Sequence, residues 1–112
     1  MHSLVSVTCP KGSAERIAQE VLRQRLAACV NTIDTVHSSY WWKGKLESAD
    51  ESLLLMKTRS ELLDALERTV KRVHPYETPE IIAFRVEGGS RGYLDWISRE
   101  TELVTRKKRK PR

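Results

Sequence analysis

Two β-rich stretches, 28–42 and 46–58, flank the turn Lys43-Gly44-Lys45, and no other feature constrains the fold as tightly. The first carries Val30, Thr32, Ile33, Thr35, Val36, Tyr40, Trp41 and Trp42, the β-branched and aromatic types that favour strands. Alternation blurs over 34–39, which predicts a bulge or break. Gly44 supplies the positive φ that a tight hairpin turn needs. Extended at ~3.3 Å per residue, 28–42 reaches about 50 Å, whereas a domain of this size has a radius of gyration of about 13 Å. The hairpin must therefore overhang the domain. A lone two-stranded ribbon is marginal in water, and Tyr40, Trp41 and Trp42 at its end form an exposed aromatic patch. A covering subunit is the simpler expectation; stacking of nucleic-acid bases is the other use of such a cluster.

The remaining elements follow from pattern. Leu4-Val5-Ser6-Val7 reads as a first strand that stops at Cys9-Pro10-Lys11-Gly12. Ser13 caps a helix over 13–27, in which Ile17, Ala18, Val21 and Leu22 share a face. After the hairpin, Ser60 caps a second helix with Leu62, Leu63, Leu66, Val70 and Val73 on one face, ending near His74 because Pro75 disfavours helical geometry before it. Ile81-Ile82-Ala83-Phe84-Arg85-Val86 is a last strand, broken by Gly88-Gly89, and 93–103 is a short third helix on which Trp96 closes the core. The order is βαββαβ with an appended helix. It predicts an α+β, ferredoxin-like domain: a four-stranded antiparallel sheet of order 4-1-3-2, both main helices on one face, and a long projecting hairpin. In that topology Cys9, the hairpin tip and the loop 74–80 share one end of the sheet and Cys29 lies at the other, so no disulfide joins them.

At 112 residues the chain is one module, a single domain over 1–105 followed by a disordered basic tail over 106–112. The net charge of +5 belongs to that tail: without its six basic residues, 14 basic face 15 acidic ones. Such a run contacts nucleic acid only without sequence preference and with strong salt dependence. The strands 4–8 and 53–58 carry no aromatic to stack a base. No apolar run is long enough to span a membrane and no signal-peptide core precedes the first strand, so the cytoplasm is the expected compartment. The two cysteines fit neither a disulfide scaffold nor a zinc ribbon. No Gly-rich phosphate loop, nucleophile elbow or HExxH is present, and no catalytic role is expected.

The segments Ala28-Cys29-Val30-Asn31, Tyr40 with Trp42 and Gly44, Glu51 followed by Lys57-Thr58, His74-Pro75-Tyr76-Glu77-Thr78-Pro79-Glu80-Ile81 and Tyr93-Leu94-Asp95-Trp96, in this order over 4–104, resemble the CutA family of divalent-cation tolerance proteins. The resemblance implies a ferredoxin-like subunit, a homotrimer similar to the PII signalling proteins, a cytoplasmic bacterial or an organellar setting, and a role in tolerance of copper and other divalent metals. No cofactor is obligatory; copper(II) or another divalent cation is the implied ligand. Copper(II) suits imidazole and carboxylate, and thiolate suits copper(I) or zinc, so His74, Cys9, Glu77 and Glu80 are the candidate ligands. Val73 stands where some members carry a first histidine, and Cys9 lies beyond the position of their strand cysteine.

A histidine before proline equally serves to bond the last carbonyls of its helix. Glu77 and Glu80, as a carboxylate pair, suit acid/base work or cap the next element, and His37 reads as a solvated or interface residue. Tyr40, Trp41, Trp42, Glu51, Lys57 and Tyr76 are the candidate interface or cleft residues. A lysine beside aromatics suits a small anion; an interface ion pair with packing is the plainer use. A trimeric signalling module that binds a small ligand or protein partner at subunit clefts is the alternative to a metal-responsive trimer.

Overall fold

The computed structural model describes residues 1–109, with side chains through 102. Its elements are β1 (His2–Pro10), α1 (Ala14–Arg23), β2 (Cys29–Trp42), β3 (Lys45–Arg59), a 3-10 turn (Ser60–Leu62), α2 (Leu63–Val73), β4 (Ile81–Val86) and α3 (Arg91–Arg109). The strands form one antiparallel sheet in the order β2-β3-β1-β4, the expected 4-1-3-2 read from its other edge. The fold is the α+β, ferredoxin-like arrangement.

Alternation decides which face is covered. β1 buries Ser3, Val5, Val7 and Cys9, and β3 buries Ser52, Leu54, Met56 and Thr58 in the same phase. Against them pack Ala14, Ile17 and Val21 of α1 and Leu66 and Val70 of α2. Each fully buried aliphatic side chain contributes about 1.5–3 kcal/mol. The opposite face carries neither α1 nor α2; α3 meets it at His2 and Arg59, and Ile33, Ile82 and Phe84 are left exposed on it.

α1 is shorter than its apolar spacing predicts. Arg25 adopts a left-handed φ of 60°, and the amides of Arg25 and Leu26 donate to the carbonyls of Leu22 and Val21 at 2.9 and 3.1 Å. This is a Schellman stop, made with arginine rather than glycine and held by a salt bridge from Arg25 Nη1 to Glu100 Oε1 at 2.8 Å. Leu26 and Ala27 are buried but lie beyond the helix. Neither serine caps through its side chain: Ser60 Oγ meets Ser3 Oγ at 2.7 Å, and a 3-10 turn precedes α2.

α3 begins at Arg91 rather than 93 and runs under the end of the sheet where β1 starts. His2 Nε2 meets Ser98 Oγ at 2.9 Å and Arg59 Nε donates to Thr101 Oγ1 at 2.8 Å. Ile97 and Thr101 are its buried residues; Trp96, expected in the core, is half-buried and stacks on Tyr93 at 5.5 Å. The last residues of α3 enter the basic segment 106–112, whose residues 110–112 lie outside the described part of the chain. Among the described residues no helix is long and apolar enough to cross a membrane.

The hairpin overhangs as its length requires. β1 pairs with β3 from Pro10↔Glu51 to His2↔Arg59, so beyond Glu51 only 37–42 and 45–50 remain, paired with each other. Six residues at ~3.3 Å give about 20 Å of bare ribbon. The domain measures 56 × 30 × 22 Å, and its radius of gyration of 15.3 Å exceeds the roughly 13 Å of a round domain this size. The bulge falls between Ile33 and Val36, where Asp34 and Thr35 oppose the single residue Ser52, whose hydroxyl donates to the Asp34 carbonyl at 2.9 Å.

Candidate functional site

Three pieces of backbone meet at one end of the sheet: the last residues of β1, the root of the ribbon, and the loop 74–80. Pro75 forces His74 out of the helix to an extended φ, ψ of −83°, 135°, and the loop then wraps round the end of β1 toward β4. His74 is 7% exposed. Its Nε2 lies 2.8 Å from the Thr8 carbonyl, and the Tyr76 amide donates to its Nδ1 at 3.0 Å. A carbonyl only accepts, so Nε2 carries the proton, and both ring nitrogens are engaged within the chain.

The Tyr76 ring packs 5.0 Å from that of His74, and its hydroxyl donates to Glu51 Oε2 at 2.8 Å. Burial and the hydrogen bond to Glu51 push the Tyr76 phenol up to about 12. Glu51 is 6% exposed, out of phase with the buried alternation of β3. Its other oxygen, Oε1, has no hydrogen-bond partner among the described residues, yet no buried side-chain oxygen there lacks one. Oε1 is therefore reached by solvent. Glu80 accepts from Ser6 Oγ and Thr8 Oγ1 at 3.1 and 3.3 Å, which fastens the far end of the loop across β1.

Between the ribbon and this loop runs a groove of about 830 Å³ walled by Tyr40, Trp42 and Tyr76, with the carboxylates of Glu51, Glu77 and Glu80 along it. His37 also faces it and pairs with Asp50 at 2.5 Å. No lysine or arginine is among its described lining residues.

The candidate metal ligands share this end of the sheet but do not form a ligand set. His74 has no ring nitrogen left to coordinate a metal. Cys9 is fully buried, and burial followed by the charge of Glu51 pushes its thiol up, away from the thiolate that binds metals. Glu80 is tied to Ser6 and Thr8, and Glu77 is exposed on the loop. Among the described residues no three His, Cys, Asp or Glu side chains come close enough to hold one ion. A metal coordinated by these four within one chain does not fit the geometry.

The cleft candidates divide. Tyr40, Trp42, Glu51 and Tyr76 line the groove, while Trp41, 72% exposed, is not part of its lining. Lys57 is six residues along β3 from Glu51, about 20 Å away, where its Nζ reaches Asn31 Oδ1 and lies 3.8 Å from Cys29 Sγ. Within one chain Lys57 and the aromatics are thus two separate places; the expected crevice that joins them lies between subunits. Residue pattern missed the burial of Glu51 and the engagement of both His74 nitrogens, which arise from contacts 25 and 66 residues apart.

Residues 3–100 match the family described as CutA1 divalent ion tolerance protein. The chloroplastic protein CutA 1 of Oryza sativa is 44% identical over 88% of this chain and 56% of its own length. The protein CutA of Mus musculus is 48% identical over 92% of this chain and 59% of its own. The chain thus spans a little over half the length of these relatives. The solved structure of the divalent cation tolerance protein CutA of Archaeoglobus fulgidus, described as periplasmic, superposes with a TM-score of 0.88 at 43% identity, covering 91% of this chain and all of that one. By sequence over its whole folded body, and by fold, the chain belongs to the CutA divalent-cation tolerance family.

Proposed function

We propose that this chain is a non-catalytic, homotrimeric divalent-cation tolerance protein, in which three copies cover one another's ribbons and the assembly responds to copper or another divalent cation. The observation that carries the reading is the ribbon itself: about 20 Å of two-stranded sheet whose end exposes Tyr40, Trp41 and Trp42. Two further features support association: the exposed apolar side chains Ile33, Ile82 and Phe84 on the sheet face opposite α1 and α2, and the short edge strand β4, whose outer backbone groups are unpaired in the sheet. The number three comes from the CutA resemblance.

Cation binding in this reading is weak and uses carboxylates brought together between copies, because the described residues of one chain offer no three-ligand group. Cys9 and Cys29, at opposite ends of the sheet, suit a compartment that keeps thiols reduced, and we place the protein in the cytoplasm. The groove favours a second reading, a PII-like module that holds a small ligand or protein partner near subunit clefts, with metal incidental.

Titration of the full chain with copper(II), followed by native mass spectrometry, reports subunit number and bound metal together. Three chains whose metal uptake requires the assembly are the expected result. A monomer overturns the reading; a trimer that takes up no divalent cation transfers it to the signalling module.

A further inference from the structure

We propose that the groove between ribbon and loop is a docking site for an organic polycation, and that its occupant is the basic segment 106–112 of a second copy. Glu51 points to a cation. It is buried to 6% exposure in the floor of the groove, and the Tyr76 hydroxyl satisfies Oε2 at 2.8 Å. Oε1 has no described partner and opens to solvent through the groove. A buried carboxylate left half-satisfied favours a charged donor.

The walls decide what kind of cation. Tyr40, Trp42 and Tyr76 present rings, which attract weakly hydrated guanidinium and ammonium groups. Glu77 and Glu80 add charge further along the groove. A divalent metal needs several oxygens around one point, and the carboxylates here are too dispersed to surround one ion. Dispersed carboxylates along an aromatic-walled groove match a chain of separate positive charges.

Within this protein that chain exists. Arg106, Lys107, Lys108, Arg109, Lys110 and Arg112 carry six positive charges with no acid among them, while the rest of the sequence has 14 basic against 15 acidic residues. The segment of the same copy starts too far away. α3 is anchored at Thr101 to Arg59 and at Glu100 to Arg25, at the end of the sheet where β1 begins; the groove lies past the end of β1, eight residues or about 26 Å along that strand. Helical rise from Glu102 to Arg109 gains only about 10 Å. A second copy supplies the segment without that limit. The proposal rests on the self-association argued above.

A water-soluble carbodiimide joins a carboxylate to an amine only where they touch. Two full-length variants are produced together: one with Lys107→Gln, Lys108→Gln and Lys110→Gln, the other with Glu77→Gln and Glu80→Gln. Both altered carboxylates are exposed, and glutamine at 80 keeps an oxygen that accepts from Ser6 or Thr8; circular dichroism of that variant checks that it folds. An amide between Glu77 or Glu80 and Lys107, Lys108 or Lys110 then links two copies by construction, and it should vanish at high salt. The Glu67–Lys71 pair, 3.1 Å apart, reports that the reagent acted.

The expected result is that inter-copy amide in the mixed assembly. Its absence while the Glu67–Lys71 amide forms overturns the proposal. Amides present in the unaltered chain and missing from the mixture overturn the second-copy assignment. Spermine coupled to Glu77 or Glu80 with no tail amide formed overturns the tail as occupant in favour of a free polyamine. Native mass spectrometry of the same sample separates these outcomes from failure to associate.

Discussion

The Tyr76 hydroxyl donates to Glu51 Oε2 at 2.8 Å, and this bond ties the loop after α2 to the root of the ribbon. Tyr76→Phe leaves Glu51 buried with neither oxygen bonded, at a cost of about 1–3 kcal/mol. Glu51→Gln keeps a carbonyl oxygen that accepts from Tyr76 and should cost less. Denaturant unfolding at one fixed protein concentration, since association adds to apparent stability, checks the order; equal losses would mean that the bond contributes little.

The same bond sets a pH dependence. The folded state raises the Tyr76 phenol from 10.0 to about 12, through burial and then Glu51. Between these values the folded chain holds the proton and the unfolded chain releases it, so stability is full below pH ~10 and falls until pH ~12. Burial and Cys29 also push Tyr93 up, so a residual alkaline loss remains in Tyr76→Phe. Tyrosinate absorbance against pH should show one late-titrating phenol fewer in Tyr76→Phe than in the unaltered chain; an unchanged late titration would contradict the burial described.

His74 is expected to act as a clamp. His74→Ala removes the partners of the Thr8 carbonyl and the Tyr76 amide, each worth about 1–3 kcal/mol if left buried and unbonded. Stoichiometric copper(II) should leave the His74 imidazole resonances of the intact chain unbroadened. Selective broadening there would show that one ring nitrogen is freed for metal.

In the core, Leu54 and Leu66 are fully buried between sheet and helices. Leu66→Ala should lower stability by about 2–5 kcal/mol without changing subunit number, because it lies on the face that α1 and α2 already cover. Trp41→Ser should do the reverse, leaving the fold intact and weakening association. Circular dichroism beside size-exclusion chromatography separates the two effects.

The architecture was legible because it follows from period and punctuation. Val5 and Val7 alternate, Ile17 and Val21 recur at helical spacing, Pro75 stops α2 at His74, and the 28–42 stretch is too long to stay within the domain. What escaped was set by distant contacts. α1 stops at an arginine, Arg25, that enters left-handed geometry beside Glu100, where pattern leads one to look for glycine or asparagine. Glu51 is buried out of phase because Tyr76 lies over it, and within one chain Lys57 sits with Cys29 and Asn31. The phase of α3, which buries Ile97 and leaves Trp96 half-exposed, comes from docking on His2 and Arg59.

The central claim is that the ribbon exists to be covered by another copy. Sedimentation equilibrium of the full chain across a wide concentration range tests it most directly. A species of three times the 12.9 kDa chain mass is expected, with Trp41→Ser dissociating at higher concentration than the unaltered chain. A stable 12.9 kDa monomer with an ordered, protease-resistant ribbon would contradict it.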